Sequence, residues 1–482
     1  MMKKAFKIFN YNILSVSLFL LISIATLFIP PIIGMADNGE FYNIISENDL
    51  YYLSNNEDEI YFGYFNKDYG IFKYNNEIEK NLISTQSIFI RIAVFIDKLI
   101  TKDYIFDIRI LGFIYMIISS FGIYFLTKAL TKEIFNTKYK ILMILFINII
   151  FADTAYLSYY NSFYEEGTSM SCFLFSMGIL LYMCKYNKFN IYNMSLFGVF
   201  IYLLMGVKEN LLLIGVLSSL LVLKIMLVYK NRSIKVISGI LIALFIGNYI
   251  YYNFKNDQIN YSNKYNSMTR GVLLDEENPD KVLSNFNIYN QYSILRNENF
   301  FEDIPMINPY NKRLIDNFYN KYSYIEIVRF YIRNPKKFIK MGDIISNNLY
   351  SIRPNYIGNY EKIIGKPYGE KSYFFTIWSS LKEKFIPNGF GISLIYIFLF
   401  VAYFIKEYIN GIKAEDKSKK FFQYVSIYIL SIGLVQILIS TIKSGDVDLI
   451  SNLFIYNLIF DLVILIIISG FLKKYSSKGC EK

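Results

Sequence analysis

Ten stretches of the chain are nearly free of charge over about the length that crosses a bilayer. They are roughly 12–33, 107–129, 140–154, 168–185, 191–207, 211–229, 235–254, 388–405, 421–442 and 449–472. No water-soluble core of this size needs so many. In hydrocarbon the backbone must satisfy its own hydrogen bonds, which favours helices. The expected fold is therefore an all-α polytopic membrane protein with about 10 transmembrane helices. Of the 482 residues, 54% are hydrophobic and 18% charged, which agrees with that class.

The charges sort by side. Segments 1–10, 128–140, 185–189, 224–235, 406–420 and 471–482 hold about 22 Lys/Arg against about 5 Asp/Glu. All six fall on one face of a ten-span topology, so the positive-inside bias makes them cytoplasmic, with both termini. Lys3, Lys4 and Lys7 before the first run read as the flank of a retained signal anchor. The net charge of +11 is thus mainly a topology signal, and nucleic acid is not an expected partner. The bilayer is. The organisation expected is a membrane module over 1–254 with about seven spans and an external loop at 34–106, an external segment at 255–386, and a second membrane module of about three spans at 387–482.

Within the first loop, Ser84–Ile100 has helical apolar spacing interrupted by Arg91, Asp97 and Lys98. A crossing there would break the charge pattern, so it is expected to lie in the interface. In the second, Asn278-Pro279 and Asn334-Pro335 mark helix starts, the latter opening an amphipathic run to Tyr350.

Several kinds of chemistry are excluded. The chain has no His, and Cys172, Cys184 and Cys480 have neither disulfide-framework nor zinc spacing. It has no phosphate-binding glycine loop, dinucleotide fingerprint, zinc-protease motif or nucleophile elbow. What remains is a set of polar turns on the external side. GMADNGEFYN, Gly34–Asn43, places Asp37 and Glu40 just beyond the first span. These are either a helix cap with an acidic first turn or partly desolvated carboxylates suited to general-base work, and both can hold together. Asp153–Gly167 gathers five aromatics around Asp153, Asn161, Glu165 and Glu166. The aromatics fit a membrane-edge belt, whereas paired carboxylates there call for solvation, a cation or a use. Gly206–Asn210 holds Lys208 and Glu209 at the membrane plane, as a snorkelling pair or as a phosphate ligand with its neighbour. Ser267–Leu273 carries Arg270. Ser351–Lys362 carries Arg353, Tyr356, Asn359 and Tyr360, suited to reading a hydroxyl-rich ligand. Lys443–Asp448, with Asp446 and Asp448, reads as a solvated turn.

ADNGEF (36–41), YYNSFYEEG (159–167) and RPNYIGNYEK (353–362) occur in order on one expected face. In these motifs and its topology the chain resembles GT-C fold glycosyltransferases, more narrowly the WsfD-type bacterial surface-glycan hexose transferases. Glu40 stands where that pattern commonly has Asp. Glu165-Glu166-Gly167 stands where it often has Glu-Pro, so either glutamate can be the match. The resemblance implies inverting transfer of a hexose from a polyprenyl-phosphate donor to a glycan acceptor. Asp37 would take the acceptor proton, and Lys208 and Arg270 would bind the lipid phosphate. Glu165 or Glu166 would orient the acceptor or help hold a divalent cation, on which the resemblance does not decide. The rival class is a lipid-linked-sugar transporter or flippase, which Asp461 inside the last apolar run would suit. Against it, no inverted repeat is visible and the polar residues cluster at one face. A polysaccharide polymerase or ligase is a second rival.

Overall fold

The computed structural model describes residues 10–74, 84–229, 231–255, 257–302, 305–413 and 417–478. Lys3, Lys4, Lys7 and Cys480 lie outside the described residues. The chain is a helical membrane protein, as its apolar runs require. Among the described residues, seven helices are long and apolar enough to cross a bilayer: Arg109–Thr131, Glu165–Tyr186, Glu209–Val228, Arg232–Asn253, Phe390–Lys413, Phe421–Ser444 and Phe454–Ser477. An eighth crossing is formed if Thr137–Phe151 and Thr154–Asn161, bent by 44°, count as one. Tyr11–Leu27 and Ile191–Met205 are shorter apolar helices. Every predicted span therefore corresponds to a helix, with shifted ends.

The shifts have local causes. The first helix stops at Leu27, not near 33, because Pro30 and Pro31 cannot donate to a helical ladder. Residues beyond it run extended toward Asp37. The last helix begins at Phe454, not near 449, because Leu449–Asn452 forms a separate short turn. The 44° bend falls at Asp153, whose carboxylate turns away from the ladder behind it to cap the next helix, accepting from the Ala155 N–H at 2.9 Å.

Helix Glu165–Tyr186 is the axis of the bundle. Its apolar window is fully buried, packed against Arg109–Thr131, Ile191–Met205 and the two C-terminal helices. The C-terminal helices share one core with the N-terminal ones, from Phe19 through Tyr156 to Leu472. A second core, including Tyr265, Phe318 and Ile345, builds the 255–386 segment and rests on Leu449, Leu453 and Tyr456. Pro279–Ser284 and Pro335–Ser346 do begin at the expected prolines.

The 34–106 segment contains an element that apolar periodicity did not disclose. Leu50–Tyr52, Asp68–Ile71 and Ile105–Asp107 form an antiparallel three-stranded sheet in sequence order. Helix Gln86–Ile100 buries Phe89, Ile90, Ala93 and Val94 and exposes Ile88, Ile92, Phe95 and Leu99. Its start is pinned to the Gly206 turn by Thr85 N–H to Gly206 O at 2.9 Å.

Candidate functional site

The three sequence motifs converge at one end of the bundle. Gly34 sits against the Phe65 ring and the Asn161 carbonyl, where a Cβ would come within 2.3 Å. That close approach lets the extended segment pair with the 353–360 loop. Gly34 N–H donates to Asn359 O at 3.2 Å, Asn359 Nδ2 to Gly34 O at 2.8 Å, and Ala36 N–H to Gly358 O at 3.0 Å. Asn161 binds the same exit from below, donating to Leu27 O and Ile33 O at 3.0 and 2.9 Å. Buried Arg353 donates to Asn359 Oδ1 and Ser372 O. Asn161, Arg353 and Asn359 thus hold the frame. Tyr360 contributes its carbonyl, which accepts from Phe65 N–H at 3.0 Å.

The frame encloses a cavity of about 200 Å³ lined among others by Asn38, Glu40, Glu166, Tyr356, Asp448 and Ser451. A smaller pocket adjoins it, lined by Glu165, Glu166, Lys208, Asn210, Ser451 and Asn452. Glu166 and Ser451 line both, so they form the seam. Lys208 Nζ donates to Ser451 Oγ at 2.8 Å, and Ser451 Oγ donates to Glu166 Oε1. Lys208 is also 3.9 Å from Glu165.

Asp37 does not face the cavity. It is buried, and Oδ1 accepts from the N–H groups of Gly39 at 2.8 Å and Phe41 at 3.0 Å. Oδ2 accepts from the Tyr52 hydroxyl. It accepts from the first N–H of helix Phe41–Glu47 and shapes the turn through Gly39, at φ 102°, that presents Glu40. Burial raises the Asp37 carboxyl, against these hydrogen bonds, with Tyr52 the strongest of them.

Glu40 is exposed to solvent and lines the cavity, where the surrounding protein thins the hydration of its carboxyl. That loss raises it to about 7; Lys208 opposes the rise, while Asp448 and Glu166 add to it. Water still reaches the carboxylate, which limits the effect. Asp448 is likewise raised by burial and opposed by Lys208. Burial alone would lower the Lys208 ammonium, but Glu165, Glu166, Glu40 and Asp448 outweigh it and hold it raised.

Arg270 is not free for a ligand. Its Nε and Nη2 bind both oxygens of Asp446 at 2.8 and 2.6 Å, and Nη1 donates to Asn297 O. It acts on the cavity through Asp446, which lines it. This corrects the reading of Lys443–Asp448 as a solvated turn. Asp446 is clamped, and Asp448 enters the cavity from a left-handed backbone position, φ 46°. Sequence reasoning also missed Ser451 and Asn452. Two adjacent polar residues at the start of an apolar run were the available signal. Among the described residues, no group of three or more Asp, Glu, Cys or His side chains is arranged to hold a metal ion.

Asp461 is accounted for by packing. It is fully buried and meets Lys382 Nζ at 3.0 Å and the Tyr156 hydroxyl at 2.6 Å, and Lys382 also donates to Asn457 Oδ1.

Together these features define a polytopic helical membrane protein with an acid-rich cavity and an adjoining lysine at one end of its bundle. The family model of the YfdI N-terminal transmembrane domain matches residues 2–482. The chain belongs to that family, a GT-C-like glycosyltransferase family. No curated protein and no solved structure matches it.

Proposed function

We propose that the protein is an inverting glycosyltransferase that moves a hexose from a polyprenyl-phosphate donor to a cell-surface glycan acceptor, of the WsfD type, at the outer face of the membrane. The observation that carries this reading is the convergence of Glu40, Glu166 and Tyr356, one from each motif, on a single cavity with Lys208 beside it.

In this reading the general base is Glu40. Asp37, the base that the resemblance implies, has both oxygens occupied and lies behind the wall. A carboxylate poised near neutral pH suits proton abstraction. Glu40 takes the acceptor hydroxyl proton as that oxygen attacks the anomeric carbon. The bond from that carbon to the phosphate oxygen breaks on the opposite side, and the lipid phosphate leaves. Lys208 meets the charge it carries. Glu166, oriented by Ser451, and the exposed Tyr356 ring hold acceptor hydroxyls. Glu165 holds Lys208 toward the seam. Arg270 supports the turn that carries Asp448.

The test is sugar transfer by purified protein from synthetic polyprenyl-phosphate hexoses, with Glu40→Gln and Asp37→Asn in parallel. Glu40→Gln should lower kcat by about 10²- to 10⁴-fold, the range for a general base. Full activity in Glu40→Gln with loss in Asp37→Asn would return the base role to Asp37. Absence of transfer by folded wild type across donors and acceptors would sink the reading.

A further inference from the structure

The end of the bundle away from the cavity carries an unused cluster. Helix Glu165–Tyr186 starts at the cavity and ends about 30 Å away, at 1.5 Å per residue over its 22 residues. There, Lys128 Nζ lies 5.3, 5.1 and 5.9 Å from the ring centres of Tyr124, Tyr182 and Tyr186. Lys132 Nζ lies 4.7 Å from the Tyr186 ring and Lys188 Nζ 6.0 Å from the Tyr182 ring. Three ammonium groups thus share one tyrosine cage. The nearby acid, Glu133, is already engaged by Lys185 and Lys473. Among the described residues, no carboxylate pairs with Lys128, Lys132 or Lys188, although Lys132 Nζ donates to the Lys185 carbonyl. Topology alone asks only for lysines at this end. It does not ask for three of them to converge without a counter-charge.

An apolar track leads to the cage. Phe113, Ile117 and Phe121 are exposed at four-residue spacing along helix Arg109–Thr131, and Lys128 and Lys132 follow toward its end. Beside them an aromatic ladder rises from Phe121 and Phe125, both against Phe175, to Tyr182 and Tyr186. Apolar at membrane depth and cationic at its end, this surface has the polarity of one lipid molecule.

We propose that this surface is a binding site for an anionic phospholipid. The acyl chains lie along Phe113, Ile117 and Phe121, and the headgroup phosphate is held by Lys128, Lys132 and Lys188. Basic clusters at the ends of membrane helices attract anionic lipids for the same electrostatic reason. The cage orients the lysines, since cation–π contacts keep the amines near the rings without neutralising them.

The experiment is thermal unfolding of purified, delipidated protein with added dioleoyl phosphatidylglycerol or dioleoyl phosphatidylcholine. A ligand that binds only the folded state raises Tm with concentration. The expected result is a saturable rise with the glycerol lipid and little with the choline lipid. The rise should disappear in Lys128→Gln/Lys132→Gln/Lys188→Gln and persist in Lys235→Gln, which removes an exposed lysine elsewhere. If the triple variant gives no cooperative melt, Lys132→Gln/Lys188→Gln, two exposed side chains, should still weaken the rise. Equal rises with both lipids, an undiminished rise in the variants, or the same rise with inorganic phosphate alone would overturn the proposal.

Discussion

At the residue scale, Asp37 and Glu40 divide two jobs that their spacing made look like one. Asp37 spends its oxygens on two backbone N–H groups and a tyrosine, so it fixes the turn. Glu40 is left facing the cavity. The acid limb of log kcat against pH should therefore rise through an apparent pKa near 7 and level above it, because the base must be ionised. That value belongs to Glu40 together with the groups that interact with it, Asp448 among them. Lys208 holds the Glu40 carboxyl down, so Lys208→Met should move the limb to higher pH; a limb that stays put or moves lower would show that another group titrates. The same shift has a sign for stability. Folded Glu40 keeps its proton over a range where the unfolded residue has lost it. Its contribution is therefore complete below about 4.5, declines as pH rises from there to about 7, and is flat beyond. Urea midpoints of wild type and Glu40→Gln should accordingly diverge across that window and run parallel above it.

At the element scale, the turns matter more than the spans. Gly39 sits at φ 102° with open space around it, so Gly39→Ala meets no clash and reports backbone strain alone. It should cost about 1 kcal/mol or more and lower kcat with it, since the turn aims Glu40. Helix Tyr324–Arg333 opens with a capping box between Ser323 and Glu326. Ser323→Ala should cost about 0.5–2 kcal/mol in chemical denaturation and leave transfer unchanged, because Ser323 lines neither pocket. The start at Pro335 was legible because proline reports its own local geometry. The three strands between 50 and 107 were not, since each has three or four residues and gains its pairing only from the others.

At the scale of the whole molecule, a buried ion pair ties the external segment to the last helix. Lys382 and Asp461, both fully buried, join the segment after the 353–360 loop to the last helix. Asp461→Asn or Lys382→Met alone should destabilise by about 3–5 kcal/mol, leaving one buried charge unpaired. The double variant should recover most of that loss in a detergent thermal melt. A double variant as unstable as the singles would mean that the hydrogen bonds to Tyr156 and Asn457 matter more than the pair.

Much of this protein is written locally. Apolar length needs no partner to be read, so it determined the helical membrane class. The motifs around Glu40, Glu166 and Tyr356 likewise marked where polar chemistry collects. What the chain alone did not determine is which side chains are free to act. Whether a carboxylate or a guanidinium is available depends on donors and acceptors brought from far along the chain. Tyr52 takes Asp37, Asp446 takes Arg270 from 176 residues away, and Lys382 takes Asp461. Ser451 is set between Lys208 and Glu166 in the same way. A carboxylate whose oxygens are held by such donors and buried behind the cavity wall is poorly placed to serve as a base. Only the tertiary structure shows which ones are already bound.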